Sequence, residues 1–210
     1  STWKLIETFK ITQYGTSAKF INTSLKHQLK PKEACDLSSL KVIMSTGSPL
    51  FEDDFEYVYE NVKPDVQLCS ISGGTDIVGC FALGNPMLPV YSGLLQSASL
   101  GYALKAYDDY GNPILNSKGE LVCESPFPSM PIQFWGDKNG DKYNKSYFET
   151  YKNKWHHSDY IICYDNGAIK ILGRSDSTLN RAGVRIGTAE IYSIIEQEST
   201  IKDSVVIHIE

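Results

Sequence analysis

Residues 173–192 read GRSDSTLNRAGVRIGTAEIY, a stretch that changes character twice within twenty residues. A short apolar run, Ala168–Leu172, leads into Gly173. Arg174 and Asp176 then stand two apart, so in extended chain they point the same way. Leu179 opens a turn-rich segment in which Gly183 permits a backbone path closed to residues with a Cβ. From Thr188 the pattern becomes helical, with Thr188 placed to cap and Ile191, Ile194 and Ile195 on one face. A strand ends, two charged residues meet at a break, and a new element begins. Spacing alone is equally compatible with a solvated loop between a hairpin and a helix.

Immediately upstream, Trp155–Cys163 and Ala168–Leu172 are expected to form a hairpin across Asp165-Asn166-Gly167, a strong turn signal. Tyr143 to Tyr151 is expected to be helical. The preceding run Asp137-Lys138-Asn139-Gly140-Asp141 has its glycine too early for a calcium loop and lacks the distal glutamate, so it reads as a turn. Further back, short strand-like runs (Val90–Gly93, Gly101–Asp108, Gly119–Ser125) alternate with turns, the spacing of a small antiparallel module.

The first ninety residues follow another rhythm. Residues 1–30 read as mainly helical, with an apolar face from Trp3, Leu5, Ile6 and Phe9 and a second start capped by Thr16 or Ser17. Leu40–Ser45 is a buried strand, Phe51–Val62 an amphipathic helix, and Val66–Ile71 a second strand. Strand, helix and strand in that order predict a parallel βαβ unit. Both strands run into loops of small polar residues, 45–49 (STGSP) and 72–76 (SGGTD). In open α/β sheets ligands bind beyond the carboxyl ends of the strands. Gly73 and Gly74 let the backbone approach a ligand, Thr75 offers a hydroxyl, and Asp76 offers a hard oxygen suited to Mg²⁺. Taken alone, SGGTD is also an ordinary tight turn.

Composition narrows the class. The 210 residues are 41% hydrophobic and 21% charged with a net charge of −5, an ordinary globular balance that gives no electrostatic reason to expect nucleic acid or an anionic membrane surface. No apolar run approaches the roughly 20 residues needed to span a bilayer. The opening STWKLIETFK lacks the pattern of a signal peptide. Five cysteines without a CxxC pair predict reduced thiols and a cytoplasmic setting. His156 and His157 are adjacent and read as structural. No P-loop, GxSxG elbow or HExxH helix occurs, which leaves nucleophilic and zinc hydrolysis without support. What remains are oxygen and guanidinium groups suited to gripping a nucleotide: Asp159 could accept two hydrogen bonds from a ribose diol, and Arg174 across the hairpin could donate to the same sugar.

The string GR-x-D, five residues, then R-x-G-x-R-I-G-T-A-E-I resembles the hinge motif of the adenylate-forming enzymes, which include acyl-CoA synthetases, adenylation domains and luciferase. Within that family, Gly119–Glu124 with Pro126–Pro131, and Trp155-His156-His157-Ser158-Asp159, are similar to the branch that activates acetoacetate; most relatives carry Gly where Ser158 stands. The resemblance covers about residues 40–192, with GTSAKF (15–20) also fitting. It implies an α/β fold: part of the adenylate-forming enzyme fold, with a parallel βαβ sheet portion, a small antiparallel β module and the start of a small C-terminal α+β domain. The expected divisions are 1–89, 90–175 and 176–210.

Residue by residue, the resemblance implies an adenine-side loop at Gly47, Ser48 and Pro49, and phosphate contact by Gly74 and Thr75. It implies Mg²⁺ at Asp76, one methylene shorter than the usual Glu, and a ribose pair in Asp159 and Arg174. Asp176 would be the hinge, Gly183 would lie on the CoA side, and Arg185 near the phosphates. Acetate-specific relatives carry Trp at the position of Gly73, so an open acyl pocket is expected there. The implied ligands are ATP (leaving AMP), Mg²⁺, CoA and acetoacetate, with neither nucleic acid nor membrane as partner. The family's phosphate-clamp loop and catalytic lysine are expected outside residues 1–210, so the chain reads as an internal piece of an acetoacetate–CoA ligase, inactive by itself. A ligase for acetate, propionate or butyrate, and a non-catalytic nucleotide-binding module, are the alternatives.

Overall fold

The computed structural model describes residues 1–175, 179–181, 184–195, 197–198, 200–201 and 203–207, with 179–181 and 184–185 described by backbone alone. The chain divides into two compact units: residues 1–72 with 83–96, and residues 73–82 with 97–210.

In the first unit, α1 (Thr2–Phe9) is followed by β1 (Gln13–Ser17), α2 (Ala18–Lys26), α3 (Pro31–Ala34), β2 (Val42–Thr46), α4 (Glu52–Tyr57) and β3 (Gln67–Ser70). The three strands pair in parallel in the order β1-β2-β3. The expected parallel βαβ unit is therefore present: α4 continues through a π-helical turn, Val58–Val62, and buries Phe55, Tyr57, Val58 and Val62. These pack with Ile43, Leu68, Ile6 and Ile21 in one core, each large side chain contributing about 1.5–3 kcal/mol of burial. Asp54, only 1% exposed, closes the helix start by accepting from Phe51 N at 3.1 Å and Asn22 Nδ2 at 3.4 Å. A buried carboxylate needs such partners.

One expectation is incomplete here and one fails. Residues 1–30 are mainly helical, in α1 and α2, but Gln13–Ser17 between them forms β1 alongside β2. Its strand character comes from tertiary pairing, since QYGTS has little apolar alternation of its own. The cap expected at Thr16 or Ser17 does form: Ser17 Oγ accepts from Phe20 N at 3.1 Å. Val90–Gly93 is not a strand. Pro89 lacks a donor for a ladder, and the surrounding loop is tied instead by buried Gln96. Its Nε2 donates to Leu88 O at 2.7 Å and Asn85 O at 2.9 Å, while its Oε1 accepts from Asn85 N at 3.0 Å.

The second unit carries β4 (Ser72–Gly74), β5 (Gly79–Leu83) and β6 (Ser97–Ala98) in a three-stranded sheet. Then come β7 (Leu104–Tyr107), β8 (Pro113–Ile114), β9 (Lys118–Cys123), α5 (Asp141–Tyr147), β10 (Trp155–Cys163) and β11 (Ile169–Arg174). Their strands form a five-stranded antiparallel sheet in the order β11-β10-β9-β7-β8. The expected runs around 101–108 and 119–125 are thus β7 and β9, and the predicted hairpin is β10–β11, turned through Gly167 at φ 87°. The 137–141 run is a turn whose Asp137 carboxylate accepts from Tyr143 N at 2.9 Å and Lys142 N at 3.3 Å, capping α5. That helix begins two residues before its expected start and ends at Tyr147. After β12 (Leu179–Arg181) and β13 (Val184–Ile186), α6 spans Thr188–Ile195. Thr188 is the first residue of α6 and not its cap; Glu190 Oε2 accepts from Gly187 N at 2.9 Å and holds that end. All five cysteines are free thiols. No described helix is long and apolar enough to cross a membrane.

Candidate functional site

The site is assembled by an interruption in β10. Trp155 and His156 pair with Cys123 and Val122 of β9, and pairing resumes only at Tyr160 with Glu120. The register shifts between them because Ser158 adopts φ 53°, a left-handed backbone that glycine enters at lower cost. The bulge turns residues 157–159 out of the ladder with β9, the use to which such irregularities are put beside sites. Asp159 nevertheless stays in register with Arg174 of β11. Arg174 Nη1 lies 3.9 Å from Asp159 Oδ1 and donates to His157 O at 3.2 Å.

Facing the bulge are the turn after β4 and the last turn of α5. Together Gly73, Gly74, Thr75, Asp76, Ser146, Tyr147, His156, His157, Ser158 and Arg174 line a cleft of about 480 Å³. Tyr147 is fixed by stacking on Trp155, with ring centroids 3.6 Å apart at 16°, and its hydroxyl donates to Asp76 Oδ2 at 2.7 Å. Burial first, then the Asp76 carboxylate, pushes the Tyr147 phenol well above its ordinary range. His157 lies against Phe81 with centroids 4.5 Å apart. Its Nδ1 is 3.9 Å from Asp76 Oδ2 and its Nε2 is 3.9 Å from Asp159 Oδ2. Burial holds its pKa down at about 4, outweighing the opposite pull of Asp76, so the ring is neutral near pH 7. His156 presents its Nε2 to buried Glu120 at 3.0 Å. Carboxylates, hydroxyls and one guanidinium around a polar cleft suit a ligand bearing both hydroxyl and anionic groups.

No protein-family model matches the chain. It is 52% identical over 194 residues to the acetoacetyl-coenzyme A synthetase of Rhizobium meliloti (strain 1021), a match covering 92% of this chain and 30% of that protein. With the acetoacetyl-CoA synthetase of Gallus gallus it shares 47% over 206 residues, 98% of this chain and 31% of the relative. Its structure matches that of the acetoacetyl-CoA synthetase from Streptomyces lividans with a TM-score of 0.90 at 42% identity, over 99% of this chain and 32% of the other. The chain is a relative of the acetoacetyl-CoA synthetases. It spans about a third of the length of the curated relatives it matches. An anthranilate CoA ligase solved in complex with anthranoyl-AMP matches 93% of this chain and 36% of its own length with a TM-score of 0.76 at 22% identity, which shows a shared fold. The expected α/β fold of adenylate-forming enzymes is thereby borne out.

Against this acetoacetyl-CoA synthetase background, the residues singled out from sequence fall into three groups. Gly73, Gly74, Thr75, Asp76 and Arg174 come together on the cleft, with Asp159 adjacent to Arg174. Gly47, Ser48 and Pro49 follow β2 in the first unit. Asp176 and Gly183 lie outside the described residues; Arg185 lies in β13, and its side chain also lies outside the described set. One expectation needs correction. Gly73 is not an opening that a larger side chain would simply fill. A Cβ there would lie 2.0 Å from Gly79 O and 2.6 Å from Cys80 Cα, so the glycine is required by the backbone of β5. Sequence reasoning also missed Tyr147, and it read His157 as structural although the ring lines the cleft. The WHHSD string held a signal for the bulge in Ser158, where the family resemblance implies Gly in most members, but nothing local marked Tyr147.

Proposed function

We propose that this chain forms part of an ATP-dependent, AMP-forming acid–thiol ligase whose acid is acetoacetate. The observation that carries the reading is the meeting of Thr75, Asp76 and Arg174 at one cleft, in a chain 52% identical to an acetoacetyl-coenzyme A synthetase. In this reading Asp159 and Arg174 hold the ribose, and Gly74 and Thr75 hold phosphate oxygens. Gly47, Ser48 and Pro49 lie against adenine, Arg185 works near the phosphates, Gly183 serves the CoA side, and Asp176 is the hinge between a large domain (1–89 and 90–175) and a smaller one beginning at 176. A cytoplasmic setting accords with the free thiols.

The residues fit Mg²⁺ delivered with a nucleotide. Asp76 Oδ1 occupies the space beside Gly74 that a Cβ would fill, 2.1 Å from that position, so the carboxylate lies close over the turn. Mg²⁺ suits a site in which one carboxylate and substrate phosphates share the ion. When bound, Mg²⁺ would neutralise phosphate charge. The acid's carboxylate oxygen would form a bond to the α-phosphorus as the bond to pyrophosphate breaks. The CoA sulfur would then bond to the acyl carbon as AMP departs. The chain's own part is to orient the nucleotide and supply donors where charge develops.

The test is thioester formation by the full-length protein with ATP, Mg²⁺ and CoA, comparing acetoacetate, acetate, propionate and butyrate. Acetoacetate is expected to give the highest kcat/KM. A higher value for another acid would overturn the substrate, and no ATP-dependent thioester with any of them would overturn the reaction.

A further inference from the structure

Asp76 is approached from two sides by groups that no motif contains. Tyr147 of α5 lies 71 residues away in sequence, and its hydroxyl donates to Asp76 Oδ2 at 2.7 Å. His157, whose side chain is only 9% exposed, directs Nδ1 toward the same oxygen at 3.9 Å; that nitrogen is buried without a hydrogen-bond partner. Oδ1 of Asp76 is turned the other way, beside Gly74. An aspartate on an exposed turn would ordinarily sample several rotamers. Here one oxygen is anchored and the other faces the turn that carries Thr75.

The anchor is rigid for a reason that does not involve Asp76. The Tyr147 ring lies parallel to Trp155, with centroids 3.6 Å apart, and edge-on to Tyr143 and Phe134 at 5.5 and 5.6 Å. Trp155 is itself buried at the start of β10, two residues before His157. The phenol hydroxyl is thus delivered to the cleft by packed rings, with little freedom left to lose.

We propose that Tyr147 is a positioning residue, whose hydroxyl holds Oδ2 of Asp76 so that Oδ1 is presented to a divalent cation arriving on a nucleotide's phosphates. The proposal rests on the reading of Asp76 given above. Tyr147 does not touch the cation; it acts through the carboxylate. Because Asp76 is one methylene shorter than glutamate, its reach is small, and the hydrogen bond fixes which way that reach is used.

The experiment measures the Kd of ATP for the full-length protein by calorimetry with and without Mg²⁺, and the Kd of AMP without it, in the parent, Tyr147→Phe and Asp76→Asn proteins. Asp76→Asn is expected to abolish most of the gain in ATP affinity that Mg²⁺ brings. Tyr147→Phe keeps the stacked ring and is expected to reduce that gain about tenfold, the scale of one hydrogen bond to a charged group, with AMP affinity unchanged. If Asp76→Asn loses the gain and Tyr147→Phe keeps it, the positioning role is wrong while the reading of Asp76 stands. If Asp76→Asn keeps the gain, that reading falls and takes the proposal with it. Weakened AMP binding in Tyr147→Phe with an unchanged Mg²⁺ gain would show a merely structural tyrosine and overturn the proposal. Should the phenylalanine variant fail to fold, Tyr147→Leu fills part of the ring's place without any donor, and the same comparison decides.

Discussion

Replacing Gly73 by alanine adds one carbon where the structure has no room for it. The new Cβ would lie 2.0 Å from Gly79 O and 2.9 Å from Gly79 C. Optimal separations are about 3.5–4.0 Å, so β4 and β5 would have to part by about 1.5 Å at that point. The obstacle is main chain, and no side-chain rotation relieves it. Overpacking of this kind costs about 1–3 kcal/mol, and with backbone on one side the upper end applies. For a chain of this size each kcal/mol shifts the melting temperature by about 2–4 °C, so Gly73→Ala should melt roughly 6–12 °C below the parent. Gly74→Ala is the control. Its Cβ would meet Asp76 Oδ1 at 2.1 Å, the tip of a side chain that can rotate away. It should therefore cost much less stability while displacing the carboxylate and weakening Mg²⁺-dependent ATP binding. Thermal unfolding followed by circular dichroism, with an ATP titration on each variant, separates the two. A Gly73→Ala protein melting within 1–2 °C of the parent would refute the close approach of β4 to β5.

Other consequences follow from the bulge. Asp159→Ala removes an acceptor for charged or hydroxyl donors, worth about 1.5–3 kcal/mol, and should weaken ATP binding about tenfold or more; a loss of thermal stability with unchanged affinity in the folded protein would instead make Asp159 a tie for the hairpin. His157 contributes a pH dependence to folding. Its folded pKa is about 4 against an ordinary 6.5, so below pH 6.5 the unfolded chain takes up a proton that the buried ring refuses. Stability is then fully present above pH 6.5 and lost as pH falls toward 4, by about 3 kcal/mol at most at 1.36 kcal/mol per unit. Asp76, Arg174, His156 and Asp159 face the ring, and the comparison is between parent and His157→Gln. Urea unfolding at pH 4.5 and 7 should show a smaller difference in the variant, and equal differences would contradict a neutral buried His157.

Much of the fold is legible locally. Asn166-Gly167 encodes the β10–β11 turn, Ser17 encodes a helix start, and the alternation of strand and helix from Leu40 to Ile71 encodes parallel pairing. What escapes a sequence reading is whatever depends on distant partners. Gln13–Ser17 becomes a strand only because β2 lies beside it. Val90–Gly93 has strand composition but follows Pro89, in a loop whose carbonyls at Asn85 and Leu88 are taken by the buried amide of Gln96. The cleft divides in the same way. Thr75, Asp76 and Arg174 stand out because small polar turns and a charge at a strand end carry their own signal. Tyr147 does not, since a tyrosine in a surface helix acquires a role only when Trp155 stacks beneath it and Asp76 meets its hydroxyl. His157 was hidden by the rule that adjacent strand residues face opposite sides, a rule that ends at a bulge.

The proposed ligase joins acetoacetate to AMP before any thiol is involved. Exchange of radiolabelled pyrophosphate into ATP by the full-length protein, without CoA and in the presence of Mg²⁺, measures that step alone. Exchange is expected to require acetoacetate and to fall sharply in Asp159→Ala. Thioester formation without any acetoacetate-dependent exchange would contradict that order of steps.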